Sequence, residues 1–367
     1  MTRIHVVQAQ FGDSIIIEFG TPNERKFILI DGGPSGVYNN HLRGEIENII
    51  GAEGTLDALI VSHIDTDHIK GVLDLLTEIK KQRDQGKDEI LSIKELWHNS
   101  FSNTIDLDGT ITNQVEKICE VMGNQSMDME HAQMVISSQN EANKVRTFAN
   151  YLEIPINIST NDNFFSLEKT SDPISFGNLT LTITGPTTEN LLALRDEWNE
   201  WTENRIQEIS DGKFDMTAYS DDTAPNLSSI TFLATIDEKK ILFTGDARGD
   251  HIIEGLKKRK LLMYGKLHVD ILKVPHHGSD RNTSREFFET ITADRYVISA
   301  NGKHQNPDYA TLSWIVEVAK KQGRQIEIII TNETPSTKKI LKDYDPTEYG
   351  YSITYIDHGK NSVSLTL

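Results

Sequence analysis

Apolar and polar residues alternate along the front of the chain in three short runs, Arg3–Ala9, Ser14–Phe19 and Lys26–Ile30, the period of two expected of half-buried strands. The third run ends in the turn sequence Asp31-Gly32-Gly33. His41–Ile50 shifts to helical spacing, Leu56–Ser62 is a short β-branched apolar run suited to a buried strand, and Ile69–Lys81 predicts a helix. The order there is strand, loop, helix. Beyond Trp97 the pattern weakens into helical stripes at Val115–Met122 and Met127–Leu152 and a polar connector at Asn161–Asp172, which together predict a helical insertion over residues 100–172. Strand character returns at Leu179–Thr184 and stops at Gly185-Pro186. Helical spacing resumes over Glu189–Ile206, which carries Trp198 and Trp201, and Ser210–Pro225 reads as an exposed loop. Ser228–Ile236 and Lys240–Phe243 predict a hairpin across Asp237-Glu238. Val269–Val274, Arg295–Ser299 and Gln325–Thr331 are further strands, and a pair of strands around Asp357–Lys360 closes the sequence. No internal repeat and no low-complexity tract interrupts this mixed α/β pattern.

Composition narrows the class. With 367 residues the chain is long enough for one large domain or two ordinary ones of about 150 residues. No apolar run approaches the ~18 residues of a spanning helix, and Gln8, Gln10, Asp13 and Glu18 interrupt the N-terminal stretch in a way a signal peptide does not. A cytoplasmic protein without membrane association is the expectation. The single cysteine, Cys119, permits neither an intrachain disulfide nor a thiolate metal cluster, so any metal has to be held by histidine and carboxylate. Acids outnumber bases 55 to 37, and the formal charge of −18 weighs against a sequence-specific DNA reader. A bound metal reverses that sign locally, which leaves phosphate chemistry open.

The densest chemistry lies in Ser62–His68, where a predicted buried strand gives way to a helix. His63, Asp65, Asp67 and His68 put imidazole and carboxylate within one short loop, the ligand set of Zn, Mn and Fe hydrolytic centres. The competing reading is a solvated turn whose aspartates cap the helix. Asp246 follows the strand run Ile241–Phe243, where a carboxylate can bridge two ions about 3.5 to 4 Å apart or simply shape a turn. His276 and His277 follow Val269–Val274 and Pro275. Only one of two adjacent side chains easily faces a given cavity, so His276 is expected as the ligand and His277 beside it, touching ligand or substrate. Asp31 is placed to orient a ligand histidine rather than to bind metal. Lys303 and His304 lie in the polar loop Ser299–Pro307, either to contact a phosphate and protonate a leaving group or as solvated residues of a glycine turn. Trp198 and Trp201 read as a packed helix face before a base-stacking platform.

His63-x-Asp65-x-Asp67-His68-x-x-Gly71 resembles the HxHxDH signature of the metallo-β-lactamase fold superfamily. Gly12-Asp13-Ser14, Asp31-Gly32-Gly33, Thr244-Gly245-Asp246-Ala247 and His276-His277-Gly278-Ser279, all at strand ends, strengthen the resemblance, and Ser299–Pro307 with Leu312 extends it downstream. The match spans nearly the whole chain apart from the insertion. Within the superfamily it is similar to the nuclease-like branch typified by the soluble domain of the competence protein ComEC, with its G-x-G-D-[SA], L-L-T-G-D-A and K-x-x-H-H-G-S motifs. The resemblance implies a four-layer αββα sandwich of the metallo-β-lactamase fold, one domain over residues 1–367, with the site along one edge. It implies one or two divalent ions, zinc or manganese: His63, Asp65 and Asp246 at one position, and Asp67, His68, His276 and the shared Asp246 at the other.

Two departures go with it. Asp65 stands where the wider superfamily has histidine, and the stretch Asn226–Ser229 replaces the histidine expected before Gly245-Asp246, both as in the ComEC-like branch. The oxygen-rich position tilts towards manganese or weakly held zinc. The implied activity is metal-dependent phosphoester hydrolysis by a metal-bound hydroxide, as a phosphodiesterase or nuclease. Asp67, Asp246 and His304 would be catalytic, and Asn226, Ser229, His277 and Lys303 would meet the substrate. A small-molecule hydrolase of a lactone, thioester or phosphonate stays open because fold does not fix substrate, as does a non-catalytic effector whose insertion binds a partner protein. If the insertion covers the groove, its acids Asp128, Glu130 and Glu141, with Asp196, Glu197 and Glu200 beyond it, favour short single strands or nucleotide-sized diesters over long duplexes.

Overall fold

The computed structural model describes residues 2–51, 53–99, 106, 109–111, 113–114, 117, 130–160, 163–210 and 228–367. Strands β1 (Arg3–Val7), β2 (Ile15–Thr21) and β3 (Glu24–Ile30) form an antiparallel meander, as their alternating pattern predicts. An irregular helical run (Tyr38–Leu42, Arg43–Glu45, Ile46–Ile50) leads to β4 (Gly54–Leu56) and the wholly buried β5 (Ala58–Val61). The helix Thr66–Asp84 follows, then β6 (Leu91–Ile93), β7 (Leu96–His98) and the helix Glu130–Tyr151. The second half runs β8 (Ile174–Phe176), β9 (Leu179–Gly185), the helix Thr188–Ser210, β10 (Thr231–Ile236), β11 (Lys239–Phe243), β12 (Leu267–Lys273), β13 (Ile291–Ile298), β14 (Ile326–Ile330), β15 (Tyr351–Tyr355) and β16 (Ser362–Thr366). Helices Gly249–Lys258, Arg285–Thr290, Tyr309–Lys321 and Pro335–Asp343 connect its later strands.

Among the described residues the main strands form two sheets, ordered β16-β1-β2-β3-β5-β7 and β15-β14-β13-β12-β11-β10-β9-β8. Strand alternation dictates how they stack. In the first sheet Ile15, Ile17, Ile28, Ile30 and Ile60 share one core with Ile183, Phe232, Phe243, Ile271 and Ile329 of the second, so these faces meet. The opposite faces carry Ile16, Leu29 and Leu59 on one sheet and Leu242, Leu272 and Ile328 on the other, each packed under helices. The result is the expected four-layer αββα sandwich.

Two features depart from the simplest sequence reading. The closing strands β15 and β16 do not pair with each other: β15 adds in parallel to β14, whereas β16 crosses to the other sheet and pairs antiparallel with β1. One edge of each main sheet is thereby formed by the same short segment. The part of the expected insertion that is described also does more than lie over a groove. Ala142, Val145 and Ala149 of the helix Glu130–Tyr151 join the same core as Val72, Leu76 and Ile79 of the helix Thr66–Asp84, completing the outer layer of the first sheet. The expected stripe Val115–Met122 lies largely outside the described residues, as do Asp128 and most of the loop 210–225.

Parallel strands place loops at their C-terminal ends, where layered α/β folds display binding residues. Asp31 follows β3, Ser62 and His63 follow β5, Asp246 follows β11, His276 and His277 follow β12, and Ser299 follows β13. The approach is close. A Cβ on Gly71 would meet the Gly32 carbonyl oxygen at 1.9 Å, so glycine there lets the helix Thr66–Asp84 seat directly on the Asp31–Gly33 turn.

Candidate metal centre

Asp65 holds the N-cap position of the helix Thr66–Asp84 in extended conformation, yet its side chain makes no cap hydrogen bond. Its Oδ2 lies 3.4 Å from His63 Nε2 instead. The helix-capping explanation of this aspartate therefore fails on geometry. Asp67 lies in the first turn, where the helix end favours a carboxylate.

The hydrogen-bond network assigns one tautomer to four histidines. Asp31 accepts at Oδ1 from the Ser62 backbone N–H (2.7 Å) and at Oδ2 from the Ser62 hydroxyl (2.6 Å) and from His68 Nδ1 (2.9 Å). With its proton given to Asp31, the Ser62 hydroxyl accepts from His63 Nδ1 at 3.0 Å. His277 Nδ1 donates to the Ser299 carbonyl at 3.0 Å. His276 Nδ1 donates to Asn282 Oδ1 at 2.6 Å, and the Asn282 amide is itself oriented by donating to the Asp246 carbonyl at 3.0 Å. Every Nδ1 proton is thus committed outward.

The four Nε2 lone pairs then converge on one carboxylate oxygen. Asp246 Oδ2 is 3.8 Å from His63, 3.3 Å from His68, 3.7 Å from His276 and 3.3 Å from His277. Asp67 Oδ2 lies 3.3 Å from His277 Nε2 and 3.9 Å from His68 Nε2. The Nε2 atoms of His63, His68 and His277 and Oδ1 of Asp246 are buried without a hydrogen-bond partner. Buried lone pairs facing carboxylate oxygens are unfavourable until a cation lies between them. The donor set of Asp67, His68, Asp246 and His277, with ligand atoms within 4.8 Å of one another, fits a divalent ion. Protonation answers the same demand. Burial works against charge on His68 and His277, but the Asp246 carboxylate, helped by Asp67 and Asp31 at His68 and by Asp13 at His277, raises both rings well above the ordinary histidine range. Against its burial, Asp246 is held well below the carboxylate range by His277, His68 and His276, and Asp67 is pulled down to about 2, again against burial, chiefly by His68 and His277.

The expectation that only one of the adjacent histidines can face the cavity is corrected here. His276 and His277 both adopt left-handed backbone angles, φ 47° and 55°, which turn consecutive side chains towards the same carboxylate. His277, expected beside the ligand, is the buried member of the cluster, and His276 stands at its rim with 30% of its side chain exposed. Ser229, expected at the substrate, is buried behind Asp246 and its hydroxyl accepts from the Asp246 backbone N–H at 3.2 Å. Asn226 lies outside the described residues. Lys303 and His304 are exposed on their loop; the Lys303 ammonium stands 3.5 Å from the centroid of the Phe11 ring, and no described contact joins His304 to the cluster. Glu141 is buried beside Thr66, which lies between Asp65 and Asp67, while Asp196 and Glu200 are exposed; the side chains of Glu130, Glu197, Trp198 and Trp201 lie outside the described set.

Sequence reasoning gave no role to a second buried pair. The Lys273 ammonium is ion-paired with Asp13, both nearly inaccessible, and Asp13 lies 3.6 Å from His277 Nδ1 and 3.9 Å from His68 Nδ1. Asp13 is held below the usual carboxylate range: burial opposes ionisation, and Lys273 and His277 overcome it. Its sequence signal was the Gly12-Asp13-Ser14 motif together with a lysine three residues before His276. Asn282, which braces both His276 and Asp246, carried no signal.

Fold and site together define a layered α/β protein with a His/Asp cluster where the C-terminal ends of interior strands of both sheets converge. Residues 8–114 match the family model of the metallo-beta-lactamase superfamily. A crystal structure of a new diphosphatase from the PhnP family is similar over 100% of this chain and 98% of that chain, at 11% identity and a TM-score of 0.41. No curated protein matches the chain. No described helix is long and apolar enough to cross a membrane.

Proposed function

We propose that the protein is a metal-dependent phosphodiester hydrolase. The observation that carries this reading is the convergence of four Nε2 lone pairs on Asp246 Oδ2, with every Nδ1 proton committed elsewhere. On this reading Asp67, His68, His277 and Asp246 hold one ion, and His63, Asp65 and Asp246 hold a second with His276 at its rim. The second set offers one imidazole and two carboxylates, which favours manganese or weak zinc binding. A divalent ion supplies Lewis acidity towards phosphoryl oxygens and brings the pKa of a bound water from 15.7 to about 7.

The chain's own residues orient and charge the site. Asp31 and Ser299 keep the His68 and His277 lone pairs facing inward, Ser229 braces the Asp246 loop, and Lys303 meets the phosphate. In the overall reaction the oxygen of water bonds to phosphorus, one P–O ester bond breaks, and a proton ends on the departing alkoxide; on this reading His304, exposed on its loop, supplies that proton. The test is hydrolysis of methyl p-nitrophenyl phosphate with added manganese or zinc, alongside metal analysis. Retention of ~1 to 2 ions per chain with turnover supports the reading. Reproducible absence of bound metal and of turnover overturns it.

A further inference from the structure

Ser299 ties the His277 loop to the N-terminal loop. Its carbonyl accepts from His277 Nδ1, and its hydroxyl donates to the Gly12 carbonyl at 2.6 Å. Gly12 lies against the ligand loop so closely that a Cβ on it would meet the Asp67 carbonyl oxygen at 1.8 Å. Phe11, the residue before Gly12, and Lys303, further along the loop that Ser299 opens, come together beside the cluster. The ammonium stands 3.5 Å from the ring centroid, with Phe11 half-buried and Lys303 exposed. Both loops are braced. Gln8 and Asn332 exchange amide hydrogen bonds at 2.6 and 2.9 Å, Asn332 also donates to the Ala300 carbonyl at 2.8 Å, and Asn301 accepts from the Lys303 backbone N–H at 3.0 Å. Among the described residues no carboxylate pairs with Lys303, although the chain carries a formal charge of −18.

An aromatic face and a lysine without a carboxylate partner, fixed next to each other at the edge of a metal cluster, match the two ends of a nucleotide. We propose that Phe11 and Lys303 form a nucleotide clamp. The base stacks on the Phe11 ring, and the Lys303 ammonium leaves that ring for the phosphate. An exposed cation–π contact is weak enough to be exchanged for base stacking and a charge-assisted phosphate contact. This inference rests on the phosphodiesterase reading and narrows it to nucleotide esters, with Phe11 selecting for the base and Lys303 for the phosphate irrespective of the base.

The experiment measures binding, so that it does not depend on turnover. Calorimetry with the manganese-loaded full chain compares thymidine 5′-monophosphate with methyl phosphate. The expected result is tighter binding of the nucleotide, a margin cut about tenfold by Phe11→Leu with methyl phosphate affinity unchanged, and restoration by Phe11→Trp. Lys303→Ala weakens both ligands alike. Equal affinity of the wild-type chain for the two ligands, or an unchanged margin in Phe11→Leu at unchanged melting temperature and metal content, overturns the clamp. Failure of hydrolysis together with an intact nucleotide margin would instead sink the hydrolase reading and leave the clamp standing.

Discussion

Two clusters of carboxylate and imidazole share the ring of His68. On its Nε2 side lie Asp67, Asp246 and His277; on its Nδ1 side lie Asp13 and Asp31. Counted by donors, either cluster suits a cation. What separates them is what already matches their charge. The Nδ1 side contains the buried Lys273 ammonium against Asp13, and Asp31 is saturated by Ser62 and His68, so its charge is balanced by groups that packing holds in place. The Nε2 side has no lysine or arginine among the described residues, so its carboxylates are matched either by protonation of His68 and His277 or by a bound cation. A cluster of ligand-type residues is a candidate metal site where the fold has not built in a fixed cation.

The strongest way to break this comparison is to remove donors from the Nε2 side. Asp67→Ala or His68→Ala should take hydrolysis to background and lower bound metal while leaving the far-UV circular dichroism nearly intact. Full activity in either variant would sink the assignment. Attacking the other side should cost stability before chemistry. Lys273→Met strands the Asp13 carboxylate in the interior and should lower unfolding free energy by about 3 to 5 kcal/mol, read by urea denaturation. The double variant Asp13→Asn/Lys273→Met should recover most of that loss, and no recovery would mean that Lys273 acts through packing alone.

Asp31 joins the two sides. Asp31→Asn should keep the fold but weaken metal binding by about 10- to 100-fold, since it no longer accepts the His68 Nδ1 proton as a carboxylate; unchanged affinity in a metal titration would remove it from the site. The smallest effect is expected from Asp65→His. It should shift metal preference towards zinc without destroying the site, and an identical metal profile would show that Asp65 points elsewhere in solution.

Much of this was legible because it is local. The alternation in Ile15–Phe19 and the apolar run before Ser62 are period-two and buried-strand signals that the side-chain direction of a strand makes unavoidable, and both formed strands. The cluster His63, Asp65, Asp67 and His68 is dense enough in sequence to announce itself. The roles within the His276-His277 pair were not legible, because alternation predicts opposite faces and two consecutive left-handed residues cancel it. Ser229 was misplaced for a similar reason: its hydroxyl faces the Asp246 backbone, a contact between loops that no local pattern encodes.

The sequence by itself determined a mixed α/β chain, the strand-end position of the ligand loop and that any metal has to be held by histidine and carboxylate, because periodicity, turn signals and a single cysteine constrain these without reference to distant residues; the αββα class came from the resemblance of its motifs. Only the tertiary structure decided that β15 and β16 part to different sheets, that Asp13 is neutralised by Lys273, and that four imidazoles share one tautomer and one carboxylate oxygen. The physical reason is the same in each case. Charge matching, lone-pair direction and edge pairing depend on which groups meet across the fold, and those meetings are set by packing between segments far apart in the chain.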